Sequence, residues 1–187
     1  MLQINFEEIP NLEPFPEKGL LQFWIARNDS FGLNNDPTHQ QGFRVIYYPE
    51  VQHDNLITTA DLRPSSNDNC PFLDSTSEYS LLFEIKEMPI TPQDYRFDQL
   101  VDVPSELSLL DFKDAYADVH FKESTGFGVH QIGGYPQFAQ SDPRVDQHMD
   151  KHHLLLQIDS DRINDIWWGD AGTAQFFISE TNLKKKD

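Results

Sequence analysis

Apolar and polar residues alternate at the start of the chain, Leu2, Ile4 and Phe6 against Gln3, Asn5 and Glu7. A period of two predicts a strand within 1–9. Pro10, Pro14 and Pro16 then force an irregular connector. Segment 19–25, Gly-Leu-Leu-Gln-Phe-Trp-Ile, is nearly continuous in apolar character and predicts a central strand. A polar, turn-rich loop comes next, then a third strand over 43–48 that Pro49 stops. Segment 55–74 has no clear period, and 81–85 (Leu-Leu-Phe-Glu-Ile) reads as a fourth strand. Thr91 followed by Pro92 predicts a short helix ending before Pro104. A stronger helix is predicted over 105–119, with Ser105 as cap and Leu109, Phe112, Tyr116 and Val119 at helical spacing. Gly126 and Gly128 close off the segment beyond that helix. Segments 154–158 and 174–178 predict two more strands. The fold class expected is α+β, mainly antiparallel sheet, with one or two short helices in a single domain over 1–187.

Composition sharpens this picture. Hydrophobic residues are only 38%, but 14 are phenylalanine, so a core rich in large rings compensates for fewer apolar positions. Twelve prolines and nine glycines favour short elements and many turns. The formal net charge of −17 and the lack of a basic stripe argue against nucleic acid and anionic membrane surfaces as partners. No apolar run is long enough to span a bilayer, and no basic stretch precedes an apolar one at the N-terminus. One cysteine, Cys70, permits no internal disulfide, and the expected location is cytoplasmic.

Two segments resemble each other. Gln3-Ile4-Asn5 leads to Gly19-Leu20-Leu21-Gln22-Phe23-Trp24-Ile25, and Gln157-Ile158-Asp159 leads to Gly172-Thr173-Ala174-Gln175-Phe176-Phe177-Ile178. The matching glutamines are 19 residues apart in the first and 18 in the second. This predicts an internal duplication of a β-hairpin unit, with repeats over about 1–48 and 130–183. The Gly-Gly-x-Pro segment ahead of the second copy has no room ahead of the first. The chain is therefore expected to be N-terminally shortened, with a strand edge near residues 2–6 open to self-association.

The densest motif runs from Gly133-Gly134-Tyr135-Pro136 through Leu154-Leu155-Leu156-Gln157-Ile158-Asp159 to Trp168-Gly169-Asp170-Ala171-Gly172. In this order the motifs resemble the bacterial YwqG-like family, a domain of unknown function, over nearly the whole chain. The resemblance implies an α+β fold with internal duplication and a cytoplasmic location. It implies no particular activity.

Several motif residues are candidates for chemistry. Gly133, Gly134 and Pro136 read as a turn, since the later glycines and the lysine of a phosphate loop are absent. Gly169 and Gly172 read as a second turn, with Asp170 accepting backbone amides and Gly172 left-handed. Asp159, Asp161, Asp165 and Asp170 form an acidic run, but the positions a calcium loop fills with an acid and a glycine hold Ile163 and Asn164. His148 and His152, four apart beside Asp146, Asp150 and His153, are weak zinc candidates if helical. No nucleophile elbow occurs, and Cys70 has no basic neighbour. We expect no cofactor.

The expectation is a non-catalytic acidic interaction module that meets a basic protein, with an immunity-like inhibitor of a basic toxin as one version. The alternative is a small-ligand binder or enzyme with a cleft between the repeat units. In that case Gln140, Asp142, Asp159, Asp161, Trp168 and Asp170 would line it.

Overall fold

The computed structural model describes residues 1–54, 70–72, 78–121, 129–145 and 147–186. Packing divides the chain into two compact units, Met1–Ile85 with Lys184–Asp187, and Lys86–Leu183. The class is α+β with antiparallel sheets, one of three strands and one of two.

The first unit is a meander of β1 (Leu2–Asn5), β2 (Leu20–Ile25) and β3 (Phe43–Tyr48), with β2 central. The opening strand is shorter than its alternation suggests, because Asn5 caps a 3-10 turn over Phe6–Glu8 by accepting from Glu7 N. Ile4, Phe6, Phe15, Leu21 and Phe23 are the buried apolar residues here, and the Phe6 and Phe15 rings lie 6.0 Å apart.

The second unit carries α1 (Phe97–Leu100), α2 (Leu109–His120), β4 (His153–Asp159) and β5 (Thr173–Ile178), and α3 (Glu180–Lys185) follows β5. All but the first residue of β4 are buried, as expected of a Leu-Leu-Leu-Gln-Ile run. Gln131 adds an antiparallel bridge to Gln157, which extends the sheet by one position. Phe97 anchors the helical side: Phe112 and Tyr116 of α2 pack on its ring at 6.2 and 4.9 Å.

Several expectations need correction. Segment 81–85 is not a strand; among the described residues no strand pairs with it, and Leu82 is 98% exposed. Thr91 opens a turn, with Asp94 N donating to its carbonyl, and the helix starts only at Phe97. α2 starts at Leu109 because Ser108, not Ser105, accepts from Asp111 N; the Ser105 hydroxyl goes to Glu106 instead. Leu109 and Val119 are exposed, so the packed face is narrower than the spacing implies. With α3 there are three α-helices among the described residues, not one or two. Much of 55–74, together with Gly126, Gly128 and Asp146, lies outside the described residues.

The two hairpins share one register. Gln3 pairs with Gln22 and Ile4 with Leu21 in β1–β2; Gln157 pairs with Gln175 and Ile158 with Ala174 in β4–β5. In each, the second glutamine donates its amide to the first, at 3.2 and 2.9 Å.

Candidate functional site

Two Asp-x-Arg triplets form the most buried polar cluster of the second unit. In Asp94-Tyr95-Arg96, the carboxylate accepts from Arg96 N at 3.0 Å, Nε at 2.8 Å and Nη2 at 2.7 Å. In Asp142-Pro143-Arg144, the same three donors reach Asp142 at 2.9, 2.9 and 2.6 Å. Each triplet closes a bidentate pair within two residues of chain, a geometry that suits the planar guanidinium fork. Arg144 Nη2 also donates to Asp94 at 3.1 Å, which joins the two. Tyr95 N donates to Asp142, and Arg144 Nη1 to Lys151 O. The Arg144 guanidinium lies 4.4 Å from the Phe177 ring and 4.9 Å from that of Tyr95.

Asp94, Asp142 and Arg144 are almost fully buried. Burial alone would raise the Asp94 pKa, but the hydrogen bonds and charge of Arg96, with the charge of Arg144, hold it below its ordinary value. The cluster balances two carboxylates against two guanidiniums. Its groups are committed to one another, so it is a clasp rather than an acid/base pair.

The second cluster centres on His130. Its Nδ1 accepts from Asp159 N at 3.3 Å, which assigns the proton to Nε2, and Nε2 donates to Asp161 Oδ2 at 3.1 Å. The Nδ1 lone pair thus faces a backbone amide. Asp159 accepts from Thr173 Oγ1 and Ser160 N; Ser160 Oγ donates to Gly172 O and accepts from Trp168 N. Asp161 also accepts from Ile163 N, Asn164 N and the Asn164 amide. Burial would raise the Asp161 pKa, but these donors and His130 pull it to about 2.

The residues singled out from sequence are divided between these clusters. Asp142 belongs to the arginine clasp, while Asp159, Asp161 and Trp168 belong to the histidine cluster. Gln140 and Asp170 are exposed. Asp94, Arg96, Arg144 and His130 are site residues that sequence reasoning misses. The repeated Asp-x-Arg triplet is the available signal for the first three, and nothing local marks His130.

Gly133 and Gly134 have positive φ, as the turn reading requires. Gln131 ties the loop down by donating to Gly133 O and Tyr135 O, and a Cβ on Gly134 would stand 2.7 Å from Met88 Sδ. Pro136 is buried, and its carbonyl accepts from Thr91 Oγ1 at 2.6 Å. In the second turn the left-handed residues are Gly169 and Ala171, not Gly172. Gly172 is needed for closeness instead, because its Cβ would meet Trp168 O at 2.8 Å. Asx-type acceptance of backbone amides falls to Asp161 in the turn ahead.

His148 and His152 lie outside any helix, so the shared helical face is not formed. His152 stacks on Tyr95, whose hydroxyl donates to Met149 O and accepts from His152 Nδ1–H. Among the described residues, no group of three His, Cys, Asp or Glu side chains could hold a metal. No helix among them is long and apolar enough to cross a membrane.

Among curated proteins, nothing matches the chain. A family model described as "Domain of unknown function (DUF1963)" matches residues 1–187, the full length, and the chain belongs to that family.

Proposed function

We propose that the chain is a non-catalytic acidic interaction module of the cytoplasm, and that the outer face of α2 receives a basic protein partner. One observation carries this reading. Asp111, Asp114 and Asp118 recur at i, i+3 and i+7 on the exposed face, opposite the Phe112 and Tyr116 rings that pack on Phe97. Like charges at this spacing repel, and Asp118 sits near the helix C-terminus, where the macrodipole disfavours an anion. Lys113 offers little relief, because its ammonium lies over the Phe97 ring at 5.0 Å. Leu110, beside the stripe, is 69% exposed. An apolar contact flanked by carboxylates suits a partner helix or loop rich in lysine and arginine.

The committed state of the buried groups supports binding over catalysis. The carboxylates of both clusters accept hydrogen bonds from fixed donors, and the His130 lone pair faces an amide. An immunity-like role against a basic toxin is one form this reading takes.

The common register of the two hairpins, with the same glutamine–glutamine bond, supports an internal duplication of the kind the YwqG-like resemblance implies. Self-association along β1, which ends its sheet, is a subordinate reading. It predicts concentration-dependent light scattering.

The test is the double variant Asp114→Asn/Asp118→Asn. It should melt slightly higher than the parent, by about 0.3–1 kcal/mol in stability, while losing capture of the basic partner. Capture at parental strength by a folded double variant would remove α2 from the interface.

A further inference from the structure

The glutamine pair of the second hairpin clamps a crossing segment of chain. Gln157 Oε1 accepts from Gln137 N at 3.0 Å, and the Gln175 amide donates to Gln137 O at 2.8 Å. Both backbone groups of one residue in Pro136-Gln137-Phe138 are thus held by side chains of the sheet. Phe138 then stacks on Phe177, two positions past Gln175, with ring centroids 6.2 Å apart. The Arg144 guanidinium lies beside this ring pair, 4.4 Å from Phe177 and 5.6 Å from Phe138. The first hairpin has counterparts of these sheet residues. The Gln22 amide donates to Gln3 Oε1, which leaves one amide N–H and one carbonyl lone pair for a clamp. Trp24 stands two positions past Gln22, and its cross-strand neighbour on β3 is Arg44. Its indole Nε1–H donates to Gln22 Oε1, which fixes the ring on the glutamine face. That face lies opposite the buried Ile4, Leu21 and Phe23, and Gln3 and Arg44 are exposed on it. Among the described residues no ring stacks on Trp24, no backbone amide reaches the Gln3 carbonyl and no carboxylate pairs with Arg44.

We propose that this face of β1–β2 docks an extended segment of another polypeptide, of the form Pro-x-aromatic followed by one acidic residue. The N–H of residue x donates to Gln3 Oε1, and its carbonyl accepts from Gln22 Nε2, so main-chain bonds set the register. The aromatic ring stacks on Trp24, and the proline keeps the backbone extended ahead of x. In the second hairpin the acid is Asp142, four residues past Phe138, and it pairs with Arg144. Arg44 offers the same charge on the first hairpin, where a single carboxylate complements it. The net charge of −17 disfavours a segment with several acids. Segment 133–138 of a second copy is not the occupant, because Gln131 and Thr91 also hold it in its own unit. The inference rests on the matching hairpins and not on the α2 stripe.

The test is an NMR titration of the whole chain at fixed ionic strength. The probe is the acetylated and amidated peptide Gly-Gly-Tyr-Pro-Gln-Phe-Ala-Gln-Ser-Asp, the sequence of 133–142. The Trp24 indole signal and the Gln3 and Gln22 side-chain amide signals should move and saturate with a Kd of about 0.1–1 mM, as expected of a short flexible peptide. The indole signals of the other two tryptophans, Trp167 and Trp168, should stay in place. The peptide with alanine in place of phenylalanine should bind at least about tenfold more weakly, and the one with asparagine in place of aspartate about threefold. In the chain, Gln3→Ala should weaken the parent peptide about threefold to tenfold and Arg44→Gln about threefold. Both positions are exposed, so both variants keep the fold. The proposal is overturned by the absence of a saturable Trp24 shift, by a shift at Trp167 or Trp168 in its place, by equal binding of the alanine peptide, or by parental affinity in both variants.

Discussion

Arg144 is the residue that joins the two Asp-x-Arg triplets of the second unit. Its guanidinium meets two carboxylates and a carbonyl and lies against aromatic rings, with its side chain only 3% exposed. Removing one partner from such a cluster leaves a charge with no water to return to. Asp142→Ala should therefore cost about 3–5 kcal/mol in urea unfolding, far more than an exposed ion pair such as Asp150–Lys151. A loss below about 1 kcal/mol would show that the clasp does not hold the unit together. Asp161 makes a prediction in pH. Its folded pKa of about 2 lies below the usual 3.8, so its hydrogen bonds stabilise the fold above that value. The contribution fades as pH falls from 3.8 toward 2. Asp161→Asn should be less stable than the parent by up to about 2 kcal/mol at neutral pH and equal to it near pH 2. A constant gap across that range would contradict the assignment.

At the scale of elements, the two hairpins present the same glutamine pair in different surroundings. Gln157 is buried; its Oε1 accepts from Gln137 N and the Gln175 amide, and its own amide donates to Val129 O. Gln3 is exposed and accepts a single bond from Gln22. Gln157→Ala should cost about 2–3 kcal/mol by chemical denaturation and Gln3→Ala less than about 0.5. Equal effects would mean that burial does not decide the role of the pair.

The same contrast separates the elements that are legible in the chain from those that are not. The strands β2 to β5 are readable because their apolar runs are long and bounded by Gly, Pro or polar residues. Segment 81–85 has a similar run but remains exposed, since a strand needs a partner edge that its own residues do not specify. The start of α2 is ambiguous because Ser105 and Ser108 are both competent caps, and only tertiary packing chooses between them. Asp142 can be singled out from its motif. Its connection to Asp94 runs through Arg144, across 50 positions of chain, and no local pattern encodes that pairing.

For the whole molecule, the governing fact is charge. A net charge of −17 on a 187-residue chain lowers the tolerance for further anions and raises the encounter rate with cations. The buried acids are matched by arginine or by fixed donors, so the unbalanced charge resides on the surface. The α2 stripe is one place where it is concentrated and bordered by exposed leucine. Such an interface should form quickly at low salt and weaken steeply as salt rises, because the Debye length falls from about 30 Å at 0.01 M to about 3 Å at 1 M. The most direct measurement is a tagged capture from native lysate at low and at high salt, read by mass spectrometry. The account predicts one basic protein recovered at low salt and lost at high salt. Recovery of a partner that is indifferent to salt, or of no basic protein at either salt, would contradict it.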